Sequence, residues 1–343
     1  MRAWRLSRPG PLESSPLSLG DAPDPKLAAG EVLVRVAAAA ADATDLAVAE
    51  GVIPITRFPV IAGQAATGVV EAVGSEAGPA PRFRPGERVA FARLRSACGS
   101  CAACVGGREH LCGERRDHGA NVDGAWAERI AIPERALVAI PDGLADADAA
   151  ALAGDGVLGY RAATREPIRS CARAGILGYG TAAAVAQRLL RSAGAEVLVF
   201  TRSAPHRQMA RDGGAVFAGP IEDHPAAAEP LDLVISLGIA GRVLPAALRH
   251  LKPGGSFVFA SAGFVESLPA LDYARHLDRE RSIASVSSAP RSDLVALLAL
   301  AGADAAFRVE TEAFAFDAAP EALDAVKSNR VRGAAVIVTS PRP

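Results

Sequence analysis

The stretch GILGYGTAAAVAQRLL, residues 175–190, decides how the second half of the chain folds. A short apolar run ends at Gly178. Gly180 comes two positions later, Ala183 three positions after that, and then an unbroken set of helix formers. The order strand, tight glycine turn, helix is the dinucleotide fingerprint in its G-x-G-x-x-A form. Glycines at 178 and 180 let the backbone turn sharply and approach a ligand closely, and the opening N–H groups of the helix, from Thr181 onward, suit a pyrophosphate. The pattern alone is weak, and a small-residue turn holding no nucleotide is the alternative. The context strengthens it. The runs EVLVF (196–200), LDLVISL (231–237), SFVFAS (256–261) and IASVS (283–287) alternate with helical stretches. Continuous apolar strands separated by helices predict a parallel sheet covered on both faces, an α/β doubly wound Rossmann domain.

The end of the second strand bears on which nucleotide binds. An acidic residue there normally accepts hydrogen bonds from the ribose of NAD. Here the place is taken by Thr201, with Arg202 and Ser203 next and Arg207 about one helical turn on. A carboxylate repels a 2′-phosphate and an arginine attracts it, so NADP(H) is expected over NAD(H). Arg202 stacking on adenine in either cofactor is the other reading.

The first 147 residues have a different rhythm. EVLVRVAAA (31–39), TGVVEAVG (67–74), RVAFARL (88–94), WAERIAIP (126–133) and ALVAIPDG (136–143) are short strands broken by Gly and Pro, the spacing of an antiparallel barrel or sandwich. The closing RVRGAAVIVTS (330–340) is again strand-like and is expected to return to this part. The predicted organisation is therefore 1–147 for the first domain, 148–290 for the dinucleotide domain and 291–343 for the return.

Composition narrows the class. The chain has 343 residues, half of them hydrophobic, and a net charge of −1. No basic excess exists to neutralise a phosphate backbone, which argues against nucleic acid. No apolar run approaches the ~20 residues of a membrane span, and the opening MRAWRLSRPGPLESS lacks the apolar core of a signal peptide. A cytoplasmic location with reduced thiols is expected, and a small-molecule substrate.

Four of the five cysteines, Cys98, Cys101, Cys104 and Cys112, fall within ACGSCAACVGGREHLC (97–112). Four thiolates close a tetrahedral zinc shell and leave no position for water or substrate, so such an ion holds a loop in shape. A pair of disulfides is the alternative, disfavoured by a reducing compartment. The fifth, Cys171, is read as a small buried hydrophobe.

A barrel-like first half, a late dinucleotide domain and a four-cysteine lobe together resemble the zinc-containing medium-chain alcohol dehydrogenases. The likeness spans nearly the whole chain, including GERVAFARLRSACGSCAACVGGREHLC (86–112), VDGAWAE (122–128), LKPGG (251–255) and NRVRGAAVI (329–337). It implies a GroES-like β-barrel catalytic domain beside the Rossmann domain, and a structural zinc on the four cysteines. It also implies dimers or tetramers paired through the edge of the cofactor sheet, with which the run GSFVFASAG (255–263) is compatible.

The same resemblance implies a second, catalytic zinc, and its ligand positions depart from the pattern. In AADATDL (40–46) Asp42 stands where the first cysteine belongs, with Thr44 and Asp45 matching the family's Thr-Asp pair. In IAGQAATG (61–68) Gln64 replaces the histidine and Ala65 the residue after it. In LAGDGVLGY (152–160) Gly154 takes the place of the third ligand, with Asp155 beside it and Tyr160 as landmark. Ala47 stands where a proton-relaying histidine is common. No catalytic zinc is expected. Asp42, Gln64 and Asp155 holding a hard ion such as Mg²⁺ is the other possibility.

Zinc stabilises the charge that grows on a carbonyl oxygen as hydride arrives, a contribution of several kcal/mol. A pocket without it suits acceptors that carry or delocalise charge themselves. The leading expectation is an NADPH-dependent reductase of a conjugated C=C or an iminium C=N. Alternatives are an alcohol or aldehyde dehydrogenase using protein acids, and a non-redox cyclisation or elimination on the same fold. Asp42 and Asp155 are expected to lie close, so that one is protonated and serves as general acid, with Thr44 as a relay hydroxyl. Polar residues filling a lapsed site with water are the bland alternative. His118 and Tyr160 are further pocket candidates, with a solvated histidine the default for His118.

Overall fold

The computed structural model describes residues 1–75, 82–166, 172–224, 230–238, 241–260 and 267–339. The chain forms two compact units, one of residues 1–157 and 288–343, the other of residues 158–287.

The first unit is built around a long strand, β1 (Glu31–Ala41). Val32, Val34 and Val36 alternate inward, and then all four residues from Ala38 to Ala41 are buried. Alternation gives way to continuous burial because other backbone covers both faces at that end, which only small side chains permit. The Trp126 indole N–H donates to the Ala40 carbonyl at 3.0 Å. Antiparallel to β1 run β2 (Ala66–Val73), residues Arg129–Pro133 and the closing strand Ala334–Val338; β3 (Arg88–Phe91) then pairs with β2. Gly68 is needed where β2 crosses a register shift, since a Cβ there would lie 2.3 Å from the Arg35 carbonyl oxygen.

This sheet has seven strands; those from the first part of the chain pair antiparallel as expected, and the pair contributed by the return, Thr311–Ala315 with Ala334–Val338, is parallel. RVAFARL divides into β3 and Leu94–Ser96, and ALVAIPDG contributes only Val138–Ala139. Pro141, without an N–H, cannot extend that pairing. Between β1 and β2 sits α1 (Ala43–Ala49). Before the second unit the helix Asp146–Ala151 runs into a π-turn, Leu152–Gly156, in which Gly154 leaves helical geometry at φ −76°, ψ −122°.

The second unit is a six-stranded, wholly parallel sheet of β4 (Arg173–Leu177), β5 (Glu196–Phe200), β6 (Phe217–Gly219), β7 (Leu231–Leu237), β8 (Leu251–Ala260) and β9 (Ser282–Val286). Its order, β6-β5-β4-β7-β8-β9, reverses direction between β4 and β7, the doubly wound topology whose carboxyl edge receives ligands at the switch point. α2 (Thr181–Ser192) comes after β4 and α3 (Ala204–Asp212) after β5. One face of the sheet packs Leu198, Phe200, Val234, Phe257 and Phe259 against Leu244, Leu248 and Ile221. The run 255–263, read as compatible with pairing through the sheet edge, enters β8, an interior strand between β7 and β9, while its residues 261–263 lie outside the described residues; the edge strands are β6 and β9.

Candidate functional site

The nucleotide cradle is formed where β4 meets α2. Gly178 adopts φ +87°, a left-handed conformation that glycine takes without strain, and its N–H donates to the Phe200 carbonyl at 3.0 Å, locking the turn to the end of β5. Gly180 caps α2 without a side chain, and a Cβ built there meets nothing within 4 Å. Open space in front of helix-opening N–H groups fits a pyrophosphate. Ala183 is buried, and Gly159 lets its helix, Val157–Thr164, sit against the start of α2; a Cβ at 159 would lie 2.0 Å from the Ala182 carbonyl oxygen. Tyr179 turns away from the cradle. Its hydroxyl donates to Gln187 Oε1 at 2.6 Å, and burial pushes it up to about 12.

Beyond β5, Thr201 and Ser203 act on the backbone. Thr201 Oγ1 accepts from the Ser203 N–H at 3.3 Å, and Ser203 Oγ caps α3 by accepting from the His206 N–H at 3.4 Å. Arg207 donates to the Arg202 carbonyl at 2.7 Å, and Arg202 pairs with Glu222 at 3.0 Å. Glu222 lies 20 residues downstream, in no motif, and nothing in the sequence signals it.

The second cluster surrounds the N-terminus of α1. Asp42 is its N-cap, its Oδ1 accepting from the N–H groups of Thr44 (2.9 Å) and Asp45 (3.2 Å), while Asp45 Oδ2 accepts from the Asp42 N–H at 3.3 Å. This reciprocal capping box fixes both carboxyls. Gly154 lies against them, since a Cβ there would meet Asp42 Oδ2 at 2.7 Å and Ala40 Cβ at 2.8 Å. Asp155 is beside Asp42 and accepts from the Ala43 backbone N–H, and the Gln64 backbone N–H donates to Asp45. Thr44, half-buried in the first turn of α1, presents its N–H to the same cap.

Three carboxyls therefore share a poorly solvated volume. Burial raises Asp42, opposed by the N–H groups of Asp45 and Thr44 and by the Arg93 guanidinium. Asp45 is pushed well above the usual carboxylate range by burial and then by the charges of Asp42 and Asp155, and Asp155 by burial and Asp42. Asp155 keeps part of its surface exposed, whereas Asp42 and Asp45 are buried. In such a trio full ionisation is disfavoured, by burial first and then by mutual repulsion. Gln64, 2% exposed, has neither amide Oε1 nor Nε2 partnered among the described residues. Residue types and spacing single out Asp42, Asp155 and Gln64 but make Asp45 only a landmark, and they give no notice of Arg93.

His118 is not solvated, which corrects the default reading. It is fully buried against Phe91, with ring centroids 5.0 Å apart, its Nδ1 is 3.3 Å from the Asp123 carbonyl oxygen, and Nε2 has no partner among the described residues. Burial, with the nearby Arg95 charge, pushes it down to about 3. The preceding Asp117 pairs with Arg93 at 3.0 Å. Tyr160 is half-buried on its helix, and Cys171 lies outside the described residues.

The Sγ atoms of Cys98, Cys101, Cys104 and Cys112 all lie within 4.8 Å of one another, the only such gathering of three or more His, Cys, Asp or Glu donors among the described residues. The Cys101 N–H points at Cys98 Sγ (3.4 Å) and the Glu114 N–H at Cys112 Sγ (3.4 Å). N–H groups from Ser100 and Cys101 bring Cys98 down to about 6. Four convergent thiols with oriented N–H donors fit a structural zinc. The carboxyl cluster does not fit the family's catalytic zinc: the donors are oxygens, and one Asp42 oxygen is committed to the helix cap.

A parallel-sheet dinucleotide unit joined to a strand-rich unit with a four-cysteine lobe defines a class. Residues 28–142 match the alcohol dehydrogenase GroES-like domain. Over 98% of this chain and 97% of the relative, the sequence is 36% identical to "Probable alcohol dehydrogenase AdhA" of Mycobacterium tuberculosis. It is 34% identical to the acryloyl-coenzyme A reductase of Sulfurisphaera tokodaii, over 40% of each chain. The fold matches a crystal structure of an NAD-dependent alcohol dehydrogenase with a TM-score of 0.89 at 23% identity, covering 99% of this chain and 100% of that one. The chain belongs to the zinc-type medium-chain alcohol dehydrogenase superfamily and is an oxidoreductase of the medium-chain type.

Proposed function

We propose that the chain is an NADPH-dependent reductase of an activated double bond, a conjugated C=C or an iminium C=N, working without a catalytic zinc. The observation that carries this reading is the cluster of three carboxyls, Asp42 and Asp45 buried and Asp155 partly so, in which Asp42 stands at one position where the family resemblance puts a metal ligand and Asp155 stands beside another. The relationship to an acryloyl-coenzyme A reductase agrees with a conjugated acceptor.

The work is divided among named residues. Gly178, Gly180, Thr181 and Ala183 build the cradle, and Arg202 and Arg207 receive the 2′-phosphate beside the turn shaped by Thr201 and Ser203. A bound nicotinamide supplies the hydride. Asp155, held protonated and only partly covered, donates its proton to the α-carbon of the enolate left by hydride addition. Burial and then the Asp42 charge favour the protonated form of Asp155, and the Thr44 hydroxyl relays the replacement proton. For an iminium acceptor the carboxylates instead balance the positive nitrogen. The four-cysteine zinc maintains the lobe, and the enzyme works in a reducing compartment as a homo-oligomer.

The test is NADPH consumption by purified protein with an enone, an enoyl thioester, a cyclic iminium and a simple ketone. The first three are expected to react and the ketone to lag. Asp155→Asn is expected to lower kcat about 10²-fold or more on the conjugated acceptors. No turnover of any activated acceptor, or an unimpaired Asp155→Asn variant, refutes the reading. The relationship to an alcohol dehydrogenase over nearly the full chain favours a second reading, alcohol or aldehyde interconversion with the same carboxyls as acids; preferential reduction of the ketone would select it.

A further inference from the structure

The carboxyl edge of the dinucleotide sheet holds a charged group that no fingerprint includes. β6 runs parallel to β5 through residues 217–219, and the Thr201 N–H donates to the Gly219 carbonyl at 2.9 Å. The residues just beyond the two strands therefore emerge side by side on the ligand-receiving edge. After β5 comes Arg202, and after β6 the short turn Ile221–Asp223 carries Glu222. Arg202 Nη2 donates to Glu222 Oε1 at 3.0 Å, with the two side chains 78% and 59% exposed. Arg207 braces the Arg202 backbone from the other side, through its carbonyl. The Glu222 carboxyl is held below the usual range by a backbone N–H and by Arg202, so it remains anionic throughout the neutral range.

We propose that Glu222 is a specificity-determining residue for the cofactor: by occupying the Arg202 guanidinium and placing a carboxylate beside the 2′ position, it limits the preference for NADPH over NADH. This rests on the proposed role of Arg202 in facing the 2′-phosphate. The bond to Glu222 uses Nη2, the nitrogen shared by both bidentate edges of a guanidinium, so two-point capture of a phosphate competes with the carboxylate for it. The carboxylate left nearby repels a dianionic phosphate, while it accepts hydrogen bonds from an unphosphorylated ribose. An exposed ion pair is weak, so phosphate still opens it, and both cofactors are admitted in a ratio that Glu222 sets.

The experiment is fluorescence titration of NADPH and NADH on the full chain at low ionic strength, for wild type, Arg202→Gln, Glu222→Gln and the double variant. Both side chains are exposed, so folding is not at stake. Glu222→Gln is expected to tighten NADPH about two- to fivefold, to leave NADH unchanged or weaker, and to lose the gain when Arg202→Gln is added. If Arg202→Gln collapses the NADPH preference but Glu222→Gln leaves the ratio of the two dissociation constants at its wild-type value, this inference is overturned and the role of Arg202 stands. If Arg202→Gln leaves the ratio unchanged, both fall together.

Discussion

Asp155 illustrates how a single residue couples stability to chemistry. Burial and the Asp42 charge make the native chain hold this proton to higher pH than the unfolded chain, whose carboxyl titrates from the ordinary value of 3.8. The resulting contribution to stability is complete below that value and disappears as pH rises through the raised native value. Asp155→Asn, which cannot ionise, should therefore be more stable than wild type at pH 8 and about equal at pH 4, by urea midpoints at both pH values. An equal effect at the two pH values would show that its native carboxyl titrates normally. His118 works in the opposite sense. Its native value near 3 lies below the ordinary 6.5, so the native state resists protonation and stability falls as pH drops from 6.5 toward 3. His118→Asn, whose amide keeps a donor for the Asp123 carbonyl, should lose about 2 kcal/mol less than wild type between pH 7.5 and pH 5, by the same titration. His250, brought down to about 4 by burial and the adjoining His224, contributes in that window too and remains in the variant.

Among the elements, close approaches of backbone decide what the helices can do. Gly159 allows its helix to lie against Ala182 in the first turn of α2. Gly159→Ala should lower stability by about 1–3 kcal/mol and weaken NADPH binding at the same time, measured by calorimetry and fluorescence titration. Stability loss without loss of cofactor affinity would separate the packing from the cradle. In the first unit, the π-turn at Gly154 and the alanines ending β1 bring Asp155 to the capping box of α1. The residue types at 42, 64 and 154–155 are legible as departures from a zinc pattern. The capping box is legible in principle, because an aspartate preceding a helical stretch with an acid three positions later is a local signal. Arg93 has no such signal: what makes it matter is that the chain returns to Asp42 and Asp117 through separate strands.

For the molecule as a whole, metal content discriminates among the readings. One zinc per chain is expected by elemental analysis, and Cys98→Ser or Cys112→Ser should release it and make residues 97–112 sensitive to protease, leaving the carboxyl cluster without metal. A second tightly held zinc that survives those substitutions would refute the zinc-free pocket. No described helix is long and apolar enough to cross a membrane. The two units also differ in how far they can be read in advance. Five strands of the parallel sheet are visible in advance as apolar runs, while the three-residue β6 (Phe217–Gly219) is too short to stand out. The first unit is less visible in advance, because β1 pairs antiparallel with strands from residues 66–73, 129–133 and 334–338, and which distant segments become its neighbours is settled by the path of the chain.

Residue order alone specifies the glycine turn at 178–183 and the four-thiol lobe at 98–112, because each is a local structure whose parts lie within a few residues of one another and whose backbone needs only certain side chains. The raised proton affinity of Asp42, Asp45 and Asp155, the burial of His118 and the pairing of Arg202 with Glu222 arise only when distant segments pack. These depend on removal from water and on distances between groups far apart in the chain, which residue types and spacing do not encode.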